Sequence, residues 1–205
     1  MGATTMISLV APAPIGKPGL VVLLLGFVLF VAALLFAWWR QRDRRQGAAR
    51  VSTRATAGIW LQATAFFLVA FGPLRPTLLP MTAPALGQAV VVALLVSTCI
   101  GMFLSATAAM GRNWSVSART RRDHDLVTWG PFATIRHPIY TGLFAMLLAM
   151  AVAFGHWRGL IVAVPLFAYG AWIRVQEEEK LLHEHFGRQY EAYAARVKRF
   201  IPGIF

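Results

Sequence analysis

GRNWSVSARTRRDHDLVTWGPFATIRHPIY, residues 111–140, is the longest stretch of the chain without an apolar run. It is basic, carries Gly130-Pro131 and His137-Pro138, and separates strongly hydrophobic segments. Upstream, residues 20–39, 55–71 and 86–110 approach or reach the roughly 20 apolar residues that cross a bilayer core. Downstream, residues 141–154 and 160–173 are apolar but short, and only GHWRG lies between them. These segments predict an all-α integral membrane protein with five transmembrane helices, the last two a short helical hairpin packed against the first three, its helices extended at the cytoplasmic ends by residues 137–140 and 174–178. A second polar block, RVQEEEKLLHEHFGRQYEAYAARVKRFIP from Arg174, predicts a cytoplasmic C-terminal helix that completes a pocket with the first block.

Composition agrees with this reading. Of the 205 residues 58% are hydrophobic, against roughly 45–50% in a soluble domain. The expectation is one membrane domain, 1–205, made of a three-helix part (20–110) and a part that carries both polar blocks (111–205). Cys99 is the single cysteine, so the chain forms no internal disulfide, and Cys99 reads as a small buried hydrophobe. RQRDRR after residue 39 reads as a stop-transfer signal, so no cleaved leader is expected.

The net charge of +12 does not point to nucleic acid, because the positive-inside rule accounts for most of it. With the N-terminus outside, five crossings leave only Lys17, Arg75 and Arg158 of the twenty basic residues on the outer side. The other seventeen, and all eight acids, are then cytoplasmic, so both polar blocks share that face.

Several groupings carry chemistry. Arg174 and Glu178 are four apart on one helix and face the same way, where the last apolar run ends. Ionisable groups at that depth are costly and usually functional, but a snorkelling arginine with a surface ion pair meets the same spacing. Glu177, Glu178 and Glu179 point about 100° apart in turn, so they do not all face one site. Arg136-His137-Pro138 opens the fourth predicted span, and Pro138 suits the first turn of a helix. A helix start bearing two basic residues is an anion site, through free N–H groups and the dipole. Trp114, Trp129, Phe132, Tyr140, Phe186, Tyr190 and Tyr193 serve either as walls for a planar or cationic ligand or as an interfacial belt. His183 and His185 diverge on a helix, and Asp123-His124-Asp125 reads as a polar loop, so no metal site is expected. Gly101, Ser105 and Ala109 form a small-residue stripe that fits close helix packing or ordinary span composition. Neither a dinucleotide fingerprint nor a P-loop occurs.

In order, G-R-N-W-S, H-D-L-V-T-W-G-P-F-A-T-I-R-H-P-I-Y-T-G and the block from Arg174 resemble the isoprenylcysteine carboxyl methyltransferase family, relatives of the membrane phospholipid methyltransferases. The resemblance covers about residues 111–202. It implies S-adenosyl-L-methionine as cofactor, held by the cytoplasmic C-terminal part, and a lipid or lipidated acceptor arriving from the bilayer. By resemblance, His124, Leu126, Val127, Gly130 and Phe132 line the cofactor pocket, with Phe132 where the family usually has tyrosine. Arg136, His137, Pro138 and Tyr140 match the RHPxY motif near the amino-acid end of the cofactor, with Glu177 and Tyr190 as further candidates. Arg174 and Glu178 match the arginine and glutamate at the methyl-transfer centre.

The acceptor stays open at this point. A carboxylate needs only an orienting cation, such as Arg174, whereas an amine must lose a proton, which Glu178 can take. Two other classes share part of this pattern. A membrane sterol-type reductase shares an RHPxY-like motif, but Ile139 and Leu143 stand where that group usually has asparagine and an acid. A non-catalytic membrane scaffold has no need of the arginine, histidine and glutamates that are present.

Overall fold

The computed structural model describes residues 12–42, 53–111 and 125–204, with side chains except at positions 41 and 42. The described residues form α1 (Lys17–Arg42), α2 (Thr53–Ala70), α3 (Ala83–Met110), α4 (Pro138–Phe154), α5 (Leu160–Phe186) and α6 (Arg188–Arg196). Short 3₁₀ turns at Gly130–Ala133 and Trp157–Gly159 precede α4 and α5. Isolated bridges, and no extended strands, occur among the described residues.

The elements begin and end where local chemistry requires. Thr82 precedes α3 with Pro84 in the first turn, and Pro138 opens α4, where a missing N–H costs nothing. Gly155 ends α4 in the left-handed conformation (φ 72°). A Cβ there would meet the Ala13 carbonyl at 2.5 Å, and the N-terminal segment docks at this point through Ala13 N–H to Gly155 O, 2.9 Å. α5 runs unbroken through Pro165.

Three helical segments are long and apolar enough to cross a membrane: Lys17–Arg40, Ala83–Met110 and Trp157–Phe186. Among the five predicted spans, α2 carries Arg54 and Gln62 within its 18 residues, and α4 is 17 residues long. Large apolar side chains face outward along α1, among them Leu24, Leu25 and Leu29, each about 60% exposed. Such a surface fits lipid rather than water, and the protein is an integral membrane protein.

The hairpin expectation is corrected in the length of its second arm. α5 has 27 residues, roughly 40 Å, because its helix continues past the expected end at Glu178 as far as Phe186. The arms of the hairpin pack against the first three helices, as expected: α5 lies closest to α2, and α4 to α3, which also carries α1, while α4 and α5 meet through side chains, with the Phe144 and Phe167 ring centroids 5.7 Å apart. The reason is where the small residues lie. A Cβ on Gly170 of α5 would sit 2.8 Å from the Gly58 carbonyl of α2, and one on Gly142 of α4 would sit 3.1 Å from the Cys99 carbonyl of α3. Of the stripe singled out in the sequence only Ala109 is buried, while Gly101 and Ser105 face outward, with nothing within 4 Å of a Cβ at Gly101. Gly170→Leu therefore forces α2 and α5 apart. We expect a loss of about 1–3 kcal/mol, read as a lower melting temperature in detergent, whereas Gly101→Leu leaves it unchanged.

Candidate active site at the polar end of the helices

The segment before α4 is held by the C-terminus of the chain. Ile135 bridges to Lys198, Arg136 N–H donates to Lys198 O (2.8 Å), and His137 N–H donates to Arg199 O (3.0 Å). Thr141 Oγ1 donates to Phe200 O at 3.1 Å, and Tyr193 Oη donates to Phe132 O at 2.7 Å. A segment 60 residues downstream thus fixes the direction in which Arg136 and His137 project.

Their common partner is Glu179. His137 Nε2 lies 3.1 Å from Glu179 Oε1, and an Arg136 Nη lies 3.3 Å from the same oxygen. Arg199 reaches Glu179 with its Nε (3.0 Å) and Nη2 (2.6 Å), a forked, charge-assisted contact. Its guanidinium also stacks 4.8 Å from the Trp172 ring centroid. The bond to Glu179 pushes the Arg199 pKa further up. The anion that the structure places at the Arg-His helix start is therefore the chain's own carboxylate.

Next to this hub lies a second group. Tyr140 Oη donates to Glu178 Oε1, and His137 Nδ1 is 3.7 Å from Glu178 Oε2. Arg174 sits 5.1 Å from the Tyr140 ring centroid, with Nη2 3.9 Å from Glu178 Oε1 and Nη1 3.5 Å from Gln62 Oε1. His137, only 6% exposed, touches both glutamates and joins the two groups.

A cavity opens beside His137. Leu126, Val127, Phe132 and Leu182 give it an apolar wall, and Arg136, His137 and Tyr190 a polar one. It measures about 70 Å³, which holds one functional group, where a whole nucleoside needs several hundred. Two buried donors, Arg136 Nε and the Tyr190 hydroxyl, have no hydrogen-bond partner among the described residues. Such groups are expensive to leave unmatched, so a ligand bringing acceptor oxygens fits this wall. Burial, and then the charge of Glu179, push the Tyr190 phenol well above its ordinary pKa. Burial pushes Tyr193 up to about 12, so both stay protonated at neutral pH.

Most of the residues singled out in the sequence converge here. Leu126, Val127, Phe132, Arg136, His137 and Tyr190 line the cavity, and Tyr140, Arg174 and Glu178 form the adjoining group. Gly130 makes the preceding turn at φ 63°, and Pro138 is buried in the first turn of α4. Glu177 is half-buried on α5, turned about 100° from Glu178. His124 and Trp114 lie outside the described residues, and Trp129 is exposed. Sequence reasoning did not single out Glu179, Arg199 or Gln62. The one signal for Glu179 was the helix start at Arg136-His137, which calls for an anion.

The comparisons with known proteins agree with the resemblance. Residues 84–184 match the model of the isoprenylcysteine carboxyl methyltransferase (ICMT) family. The chain is 34% identical over 114 residues to the protein-S-isoprenylcysteine O-methyltransferase of Schizosaccharomyces pombe, covering 52% of this chain and 47% of the relative. It is 32% identical over 113 residues to protein-S-isoprenylcysteine O-methyltransferase B of Arabidopsis thaliana, covering 51% and 55%. It is also 30% identical over 113 residues to the nickel-cobalt-cadmium resistance protein NccN of Alcaligenes xylosoxydans xylosoxydans, covering 51% and 49%. The chain spans about half the length of these curated relatives.

Proposed function

From the match of residues 84–184 to the isoprenylcysteine carboxyl methyltransferase family, we propose that this chain is a membrane methyltransferase. It moves a methyl group from S-adenosyl-L-methionine to the carboxylate of an isoprenylcysteine or a related lipid-linked acceptor. The observation that carries this reading is the junction at His137. One side of the ring meets a cavity with unmatched donors, and Glu178, with Tyr140 and Arg174 behind it, stands at the other.

S-adenosyl-L-methionine, when bound, supplies a methyl carbon activated by a sulfonium. Arg136 Nε and the Tyr190 hydroxyl are the donors for its acceptor oxygens, while Leu126, Val127, Phe132 and Leu182 exclude water from its apolar parts. The cavity receives one end of this ligand, and His124, in the adjacent segment 112–124, remains a candidate for the rest of the wall. Glu179 holds Arg136 and His137 in place, and Arg174 orients the acceptor oxygen. The bound cofactor would supply its methyl group to an acceptor carboxylate that is already a nucleophile and that Arg174 would orient. No proton moves, so the protein contributes alignment and a dry site.

The two parts of the chain divide this work. Residues 20–110 are the membrane scaffold through which the acceptor approaches, and 111–205 build the cofactor site. The N-terminus lies outside, and the site and C-terminus are cytoplasmic, where the cofactor is available. The test is a lipid extract and a free S-prenylcysteine, each incubated with purified protein and methyl-labelled S-adenosyl-L-methionine. A base-labile labelled methyl ester on the prenylcysteine is expected. Label on a phosphatidylethanolamine-type amine makes the protein an N-methyltransferase, and no label in any lipid overturns the reading.

A further inference from the structure

Gln62 sits at the tenth position of α2, outside the family-matched region, and is 5% exposed. Its Oε1 lies 3.5 Å from Arg174 Nη1, a long contact, and its Nε2 is buried without a hydrogen-bond partner among the described residues. Buried where α2 meets α5, that amide is out of reach of bulk water. The pair is possible because two glycines remove the side chains between the helices. A Cβ on Gly58 would meet Arg174 Cγ at 2.6 Å, and one on Gly170 would meet Gln62 Cγ at 3.0 Å. The Arg174 guanidinium is thus used at both ends. Nη2 faces Glu178 at 3.9 Å, whereas Nη1 turns away from that carboxylate, toward Gln62.

We propose that Gln62 is the second half of the acceptor site: its amide N–H and the Nη1 edge of Arg174 bind one carboxylate, presented from the lipid side. This deepens the methyltransferase reading and rests on it. A buried, unmatched N–H beside a guanidinium is matched by an anionic oxygen and not by a protonated amine. The geometry therefore selects carboxylate acceptors over amines, and it places the anchor of the acceptor in α2, at residues that do not line the cavity beside His137. Cofactor carboxylate and acceptor carboxylate share this chemistry, so the experiment has to separate them.

Gln62→Glu keeps an acceptor oxygen for Arg174 but replaces the N–H donor with negative charge, whereas Gln62→Met keeps the shape and removes both. With the full chain in lipid nanodiscs, acceptor KM is measured with a free S-prenylcysteine, and Kd with S-adenosylhomocysteine. Gln62→Met is expected to raise acceptor KM roughly tenfold, Gln62→Glu more than that, and Kd is expected to stay within twofold for both. If Gln62 only supports Arg174, Gln62→Glu is as good as the unsubstituted protein, and that result overturns the proposal. A parallel shift in Kd also overturns it, because the carboxylate is then the cofactor's. A measurement on the unsubstituted protein needs no variant: the carboxamide analogue of the prenylcysteine competes at least tenfold more weakly than the acid, and equal competition overturns the proposal. Failure of the methyltransferase reading looks different, since the unsubstituted protein then labels no acceptor at all.

Discussion

Glu179→Ala is expected to lower the melting temperature of the detergent-solubilised protein by roughly 10 °C and to abolish S-adenosylhomocysteine binding. One carboxylate, 12% exposed, is shared by Arg136, His137 and Arg199. Removing it leaves two guanidinium groups facing each other across a partly buried space. Breaking such a group from one side costs about 3–5 kcal/mol, which corresponds to the shift above for a chain of this length. The loss also spreads, because Arg199 belongs to the segment whose backbone holds Arg136 and His137. Glu179→Gln preserves shape and one acceptor, so an intermediate melting temperature is expected. Calorimetry and a thermal melt check both points. A Glu179→Ala protein that melts within a degree of the unsubstituted one, and still binds the cofactor product, would remove Glu179 from its place at the hub.

Arg174→Ala is expected to reduce methyl transfer about 10²–10³-fold while S-adenosylhomocysteine affinity stays within threefold. The range is that of removing one donor aimed at a reacting oxygen. Arg174 is not among the residues lining the cavity beside His137, and its contacts include the Tyr140 face, Glu178 and Gln62. Arg174→Lys keeps the charge but not the planar fork that reaches Gln62 on one end and Glu178 on the other, so it restores only part of the rate. Single-turnover transfer of labelled methyl, alongside calorimetry on the same preparations, separates the two effects. Equal loss of binding and rate would place Arg174 at the cofactor instead.

The sequence made some of these residues visible and hid others for identifiable reasons. Arg136, His137 and Pro138 were legible because a proline at a helix start, with two basic residues before it, is a local pattern. Arg174 and Glu178 were legible because four-residue spacing on a helix sets a shared face. Glu179 was not, because the three consecutive glutamates offer no local preference. The choice is made by the position of His137, 42 residues away, and by Arg199. Gln62 was passed over as one polar residue in an apolar span, since nothing local marks it as the neighbour of Arg174, 112 residues on. The small-residue stripe at Gly101 and Ser105 looked like a helix contact, but Gly58, Gly142 and Gly170 were the positions where backbones meet. Small residues permit close approach without specifying a partner.

The linear sequence determined the membrane class, the order of the helices and the two polar blocks. It also determined the family resemblance, which the match over residues 84–184 bears out. These depend on composition, periodicity and short motifs, which are properties of neighbouring residues. Only the tertiary structure decided that α5 lies closest to α2, that the C-terminal segment fastens the start of α4, and that Glu179 meets Arg136 and His137. Those outcomes turn on pairings across tens of residues. They are set by where glycines let backbones approach and where a charge removed from water must find its counter-charge, and neither is encoded in any local stretch.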